Sequence, residues 1–275
     1  MSEKRTFIKG AAILSISGII VKLLGAALRI PLANKLGAGM AYYNVAYTIY
    51  AIFLVLATAG IPVAISRLVS ERISMGNGKG AHRVFTTALK LMLVIGLGSF
   101  AICYFGAGVI SELIKIPDAE ISLKAIAPAL CIVPMLSAFR GYFQGWQNMA
   151  PTAISEIGEQ VVRVVVGLGL GFFLFRQGLD VAAAGATFGA GAGALVGILI
   201  IVIIYALDAR RREVRLLRTS GQEESQRSIL KKIAWIAIPI IIGAEIMPIM
   251  STIDTTIIVA RLQATGWTAD EALDL

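Results

Sequence analysis

The sequence predicts an all-α integral membrane protein, and three observations carry that prediction. Hydrophobic residues make up 57% of the chain and charged residues 15%, whereas a soluble domain keeps roughly a quarter of its residues charged to solvate its surface. Seven apolar segments reach the ~20 residues that a helix needs to cross the hydrocarbon core. The basic residues gather at the ends of those segments, which explains a net charge of +8 as membrane topology rather than nucleic-acid binding. The mean hydropathy of +0.81 agrees.

The first segment, 7–33, follows Lys4 and Arg5 in the manner of a signal peptide. Its apolar run continues past Lys22 to about Ala33 without a small-residue cleavage site, so it reads as an uncleaved span. The others are 42–66, 84–107, 121–146, 152–175, 182–207 and 233–260. They are apolar all round and too long for membrane strands, which alternate over roughly ten residues. Gly37-Ala38-Gly39, Gly76-Asn77-Gly78-Lys79-Gly80, Ile116-Pro117-Asp118, Trp146-Gln147-Asn148 and Arg176-Gln177-Gly178 supply short connections. One connection is long: 208–232, with Arg210-Arg211-Arg212 and then a polar run through Ser220-Gly221-Gln222, has the composition of a solvated linker.

With the N-terminus inside, the cytoplasmic ends hold sixteen Lys and Arg and the outer ends four: Lys35, Lys115, Arg176 and Arg261. That bias sets a cytoplasmic N-terminus. Span six carries Gly185, Gly189, Gly193 and Gly197, and span five Gly167 and Gly171. Such ridges let helices approach closely where lipid gives no hydrophobic drive to pack them.

Enzyme and cofactor signatures are missing from the sequence. Cys103 and Cys131 sit in apolar runs and form no disulfide framework, and the lone His82 excludes histidine-rich metal clusters. There is no phosphate-binding loop, no His-Glu-x-x-His and no Gly-x-Ser-x-Gly. The sequence therefore predicts neither catalysis nor a cofactor nor a metal. What remains is a set of ionisable residues inside the spans, each costing on the order of 2.5–3.5 kcal/mol at a helix centre.

Lys22 and Arg29 are seven residues apart and project from a similar face of span one, unless each snorkels to an interface. Pro31 strains the outer end of that helix. Glu156, Glu159 and Arg163 lie on the inner half of span five, with Glu159 and Arg163 spaced for an i,i+4 ion pair. Arg140 ends span four, either as a basic anchor or as a cavity residue. Glu245 and Asp254 fall in span seven, near Pro239 and Pro248, where a carboxylate could take a proton or cation or pair with a basic residue. Spans one to six hold five cations (Lys22, Arg29, Lys90, Lys124 and Arg163) against Glu156 and Glu159. A cavity lined by that surplus attracts phosphate groups and repels lipophilic cations.

Arg140-Gly141-Tyr142-Phe143-Gln144-Gly145, running through Asn148-Met149-Ala150-Pro151-Thr152-Ala153 to Glu159-Gln160 and Arg163, resembles the span four to five hairpin of bacterial polysaccharide-export flippases. Lys22-Leu23-Leu24-Gly25, Arg29 and Leu36-Gly37-Ala38-Gly39 are similar to the first span of the stage V sporulation protein B and lipid II flippase group. Ala59-Gly60-Ile61-Pro62-Val63-Ala64-Ile65-Ser66 matches the end of its second. The resemblance implies the multidrug/oligosaccharidyl-lipid/polysaccharide exporter fold: two six-helix lobes around a central cavity. On that basis 1–207 is a six-helix N-terminal lobe, 208–232 a basic cytoplasmic linker, and 233–275 the first helix of an incomplete second lobe. The chain then reads as the N-terminal portion of a split or truncated product whose partner is the missing C-terminal lobe.

The resemblance also implies a function: moving an undecaprenyl-pyrophosphate-linked saccharide across the bacterial cytoplasmic membrane by alternating access. Lys22, Arg29, Arg140 and Arg163 would bind the anionic head group, with Glu156, Glu159 and Asp254 as charge partners or coupling groups. Of the group's cavity cations only Lys22 carries over in register; Arg29 is displaced by one position, and the span-two arginine falls on the apolar stretch near Leu54. Two other functions stay open: a cation-coupled multidrug antiporter using Asp254 or Glu159, and a scaffold recruiting wall-synthesis enzymes through 208–232.

Overall fold

The computed structural model describes residues 2–208 and 224–264, with side chains from Ile8 onward except for several in the distal part of the last helix. Among them the chain is helical, with no strand. The helices are α1 (Ser2–Leu36), α2 (Met40–Thr58), α3 (Ile61–Ser74), α4 (Gly78–Phe105), α5 (Ala107–Leu113), α6 (Ala119–Gly145), α7 (Ala150–Phe173), α8 (Leu179–Leu207) and α9 (Gln226–Ala264). Five helical stretches, from Ile8–Ser74 to Leu179–Leu207, are long and apolar enough to cross a membrane. The first contains both α1 and the α2–α3 pair. Together they hold six of the seven expected spans, the seventh lies in the helix α9, and the chain is a multi-pass membrane protein.

One span differs from expectation. Span two is broken into α2 and α3 at Ala59-Gly60, where Pro62 in the first turn of α3 has no N–H to continue the preceding helix. α4 covers span three and ends at Gly106, and α5 adds a short helix beyond it. Conversely, Pro31 lies within α1 without ending it. Gly78-Lys79-Gly80, expected in a loop, begins α4, and the Asn77 side chain caps it by accepting from the Gly80 N–H at 2.7 Å.

α6 is the central helix, packed against α2, α3, α4 and α8, while α7 lies between α1 and α8. Phe85 anchors an aromatic cluster of α4, α6 and α8, with ring centroids 4.6 Å from Tyr142, 5.0 Å from Phe139 and 5.4 Å from Tyr205. The outward faces stay apolar: Ile16, Ile19, Leu23 and Ile30 of α1 are all exposed, as lipid-facing positions should be.

The glycine ridge of α8 packs directly on α7. A Cβ on Gly193 would stand 2.5 Å from the Glu159 carbonyl oxygen, and one on Gly189 would stand 2.7 Å from that of Arg163. The two backbones therefore touch at the very turns that carry the span-five charges. This is the small-residue packing expected in lipid.

α9 is not detached from the bundle. Ile229, Ile233 and Ala237, spaced by four, bury against the same core as Ile61, Ile65 and Leu68 of α3. The α2–α3 break provides the room, since a Cβ on Gly60 would meet the Ala237 carbonyl oxygen at 2.4 Å. Beside this contact Glu224 accepts from Arg72 of α3 and from Ser228, and pairs with Lys232 at 2.6 Å. These partners, Lys232 first, hold the Glu224 carboxyl well below the usual carboxylate range, at about 2.

A depressed carboxylate stabilises the fold fully above its ordinary value near 4.5 and loses that contribution as pH falls toward 2. Thermal unfolding of the purified protein should therefore show a midpoint decrement between those pH values. Glu224→Gln should show the lower midpoint already at neutral pH and no further step. A wild-type midpoint that stays flat across this window contradicts the latch.

Candidate functional site

Three helices meet around an open cavity of about 490 Å³, lined by Gly25, Ala26, Leu28 and Arg29 of α1, Tyr43, Asn44, Tyr47, Thr48 and Ala51 of α2, and Gln160 and Arg163 of α7. α1 packs along α7 but barely touches α2, and the gap between them is the cavity. Its α2 wall is a tyrosine face. Tyr43 and Tyr47 stack with centroids 5.5 Å apart, and Tyr50 continues the ladder at 5.5 Å, the i, i+4, i+7 positions of one helix side.

Two arginines reach the cavity. Arg29 is exposed, and its Nη2 donates to Asn44 Oδ1 at 3.2 Å. Arg163 is held more firmly: its Nη2 donates to Glu159 Oε1 at 2.6 Å and its Nη1 to the Tyr47 hydroxyl at 3.3 Å. The expected Glu159–Arg163 pair is present, but it is one half of a larger arrangement. Arg140 of α6 donates from Nη2 to the other carboxylate oxygen at 2.9 Å, and from Nε to Ser155 Oγ at 3.1 Å. One buried carboxylate is thus gripped by two guanidinium groups, and all three side chains are no more than 13% exposed.

Electrostatically the triad carries one net positive charge. Glu159 has both oxygens engaged, and Arg163 can still face the cavity through Tyr47. With Arg29 opposite, the lining has a positive surplus and no carboxylate, which suits an anion. The tyrosine hydroxyls, Asn44, Thr48 and Gln160 add neutral hydrogen-bonding groups.

The remaining expected residues lie elsewhere. Arg140 stands behind the cavity as a partner of Glu159 instead of facing solvent as an anchor. Lys22 is exposed on the Arg29 face of α1, outside the lining. Glu156 accepts from Ser17 Oγ of α1 at 3.4 Å and is not bonded to Arg163. Glu245 is buried in α9 without a hydrogen-bonding partner among the described residues. The side chain of Asp254 and most of 208–232 lie outside the described residues. Sequence reasoning missed Tyr47, Asn44 and Gln160, although the Tyr43, Tyr47, Tyr50 spacing on one helix face was there to be read. Among the described residues no group of three or more His, Cys, Asp or Glu could hold a metal ion.

Comparison with known proteins gives a consistent result. The family described as "Polysaccharide biosynthesis protein" matches residues 7–267. The chain is similar to the lipid II flippase MurJ of Bacillus subtilis, 30% identical over 270 residues that cover 93% of this chain and 49% of the relative. It is also similar to stage V sporulation protein B of the same organism, 32% identical over 204 residues covering 74% and 39%. The chain thus spans about half the length of the curated relatives it matches. Among solved structures, a MATE transporter in complex with MaD3S superposes with a TM-score of 0.75 at 16% identity, over 96% of this chain and 57% of that one. This likeness shows the fold.

Because breaking a buried ion pair leaves an uncompensated charge, at a cost of about 3–5 kcal/mol, Glu159→Gln should be the most destabilising single change in the triad. Arg163→Gln leaves Glu159 still paired with Arg140 and should cost less. Thermal unfolding of both variants tests the order; equal midpoints would contradict it.

Proposed function

The chain belongs to the polysaccharide biosynthesis protein family, and we propose that it serves transbilayer movement of an undecaprenyl-pyrophosphate-linked saccharide. The single observation that carries this reading is the α1–α2–α7 cavity, with Arg29 and Arg163 in its wall and no carboxylate facing it. A pyrophosphate offers several acceptor oxygens to two guanidinium groups, and charge-assisted bonds of this kind are the strong ones. The neutral amide, hydroxyl and tyrosine groups beside them are suited to sugar hydroxyls.

The described helices form one wall. Alternating access requires a second wall, and we place a second six-helix lobe opposite α1 and α2, with 1–207 as the first lobe, 208–232 as the linker and α9 as the first helix of the second. The bias of Lys and Arg puts the N-terminus, the α3–α4 turn and the start of α9 on the cytoplasmic side of a bacterial cytoplasmic membrane. Lys22, nearer that side on the Arg29 face, would meet the head group first. Arg29 and Arg163 would then hold it, while Arg140 keeps Glu159 from competing. A substrate bound more tightly in one state than the other shifts the conformational equilibrium by that difference alone.

A multidrug resistance transporter of the MATE family shares the fold, but here both carboxylate oxygens of Glu159 are already engaged by arginines. The cavity also repels cationic cargo. The scaffold reading would rest on 208–232, of which 209–223 lie outside the described residues.

Loss of a hydrogen bond to a charged group costs about 1.5–3 kcal/mol. Arg29→Gln, introduced at the chromosomal gene so that natural partners are present, should therefore lower export of the lipid-linked saccharide by roughly tenfold or more at normal protein level. The precursor would accumulate on the inner leaflet. Undiminished export with normal expression would overturn the role of this cavity.

A further inference from the structure

A second basic cavity shares no lining residue with the α1–α2–α7 gap. It occupies about 470 Å³ between α3 and α9 and is lined by Arg67, Leu68, Glu71, Ser228, Lys231, Lys232, Trp235 and Ile236. Its charges are not equivalent. Lys232 is engaged by Glu224, and Glu71 pairs with Arg72 at 3.0 Å. Arg67 and Lys231 are exposed and, among the described residues, have no ion-pair partner. The Glu224 latch thus uses up Lys232 and Arg72 and leaves one free cation on each wall of the cavity.

What lies beneath the cavity indicates its occupant. Trp235 follows Lys231 by one helical turn and is 83% exposed. Ile238, Ile242 and Ile246 continue the same face of α9 and are exposed in turn. The cations sit at the head of an apolar track that runs along the helix, with an indole at the junction. Trp is enriched where the headgroup layer meets the hydrocarbon, and basic pockets between membrane helices accept anionic head groups. A soluble phosphate would need the cations but not the track.

We infer that the α3–α9 cavity binds one anionic phospholipid of the surrounding leaflet, its phosphate between Arg67 and Lys231 and its acyl chain along Trp235, Ile238 and Ile242. The phosphate bridges α3 to α9 alongside the Glu224 latch, so lipid composition sets how firmly α9 is held on the first helices. This rests on the reading that the basic end lies at an anionic membrane surface. Binding itself, however, is independent of any transport activity and of orientation.

The test uses the purified chain in nanodiscs of phosphatidylcholine with a small fraction of brominated phosphatidylglycerol or, in parallel, of brominated phosphatidylcholine. Quenching at Trp235 is taken as the difference between wild type and Trp235→Phe. Wild type should be quenched more by the anionic lipid than its mole fraction predicts. Arg67→Gln and Lys231→Gln should each reduce that enrichment about fivefold, while neutralising Arg210, Arg211 and Arg212 should leave it intact. Equal quenching by both lipids, or equal loss on neutralising 210–212, would overturn the site in favour of diffuse surface attraction. Displacement by millimolar inorganic phosphate would overturn the lipid assignment. Absence of quenching by either lipid would mean that protein covers this face, which also overturns it. Because nanodiscs present lipid on both sides, none of these outcomes depends on saccharide export.

Discussion

A charge inside a bilayer must be matched, and the fold around α7 is organised by that constraint. Glu159, Arg140 and Arg163 are three ionisable side chains that would each be costly alone. Together they form one compact group in which the carboxylate has a guanidinium on each oxygen. The glycines of α8 make the geometry possible. They bring the α8 backbone against Glu159 and Arg163, and Gly197 leaves room for the Glu159 carboxylate, whose Oε2 would stand 3.5 Å from a Cβ there. Packing and electrostatics are here one device.

That device has a consequence for cargo. Two arginines around one carboxylate leave a net positive charge where a simple ion pair would leave none. The surplus is displayed at Arg163, whose second guanidinium nitrogen meets Tyr47 in the cavity wall. Arg29 supplies a second cation from α1, a helix that is free to face the gap because it packs on α7 and hardly on α2. The same scaffold with its carboxylates free would suit a cation. Structural likeness at low identity therefore speaks to the fold alone.

Much of the architecture was legible in the sequence, because membrane helices announce themselves by length and apolarity. Each predicted span has a helix, and four of the five short connections fall where glycine, proline and polar residues place them. The break at Ala59-Gly60 was not legible, since a hydropathy window averages over a kink that leaves both halves apolar. The Glu159–Arg163 pair could be read because i,i+4 spacing is a local property. Arg140 as its third member could not: nineteen residues separate it from Glu159, and only the turn of the α6–α7 hairpin brings them together. The docking of α9 by Glu224 and Arg72 was hidden for the same reason, with 152 residues between the partners.

The central claim is that the α1–α2–α7 cavity is built for a phosphate-bearing lipid and against cationic cargo. The most direct measurement is equilibrium binding to the purified protein in nanodiscs of undecaprenyl pyrophosphate and, separately, of a lipophilic cation. The account predicts saturable binding of the pyrophosphate lipid that is lost in Arg29→Glu, with no saturable binding of the cation to the wild-type protein. Saturable cation binding by the wild type, with indifference to the pyrophosphate, would contradict it.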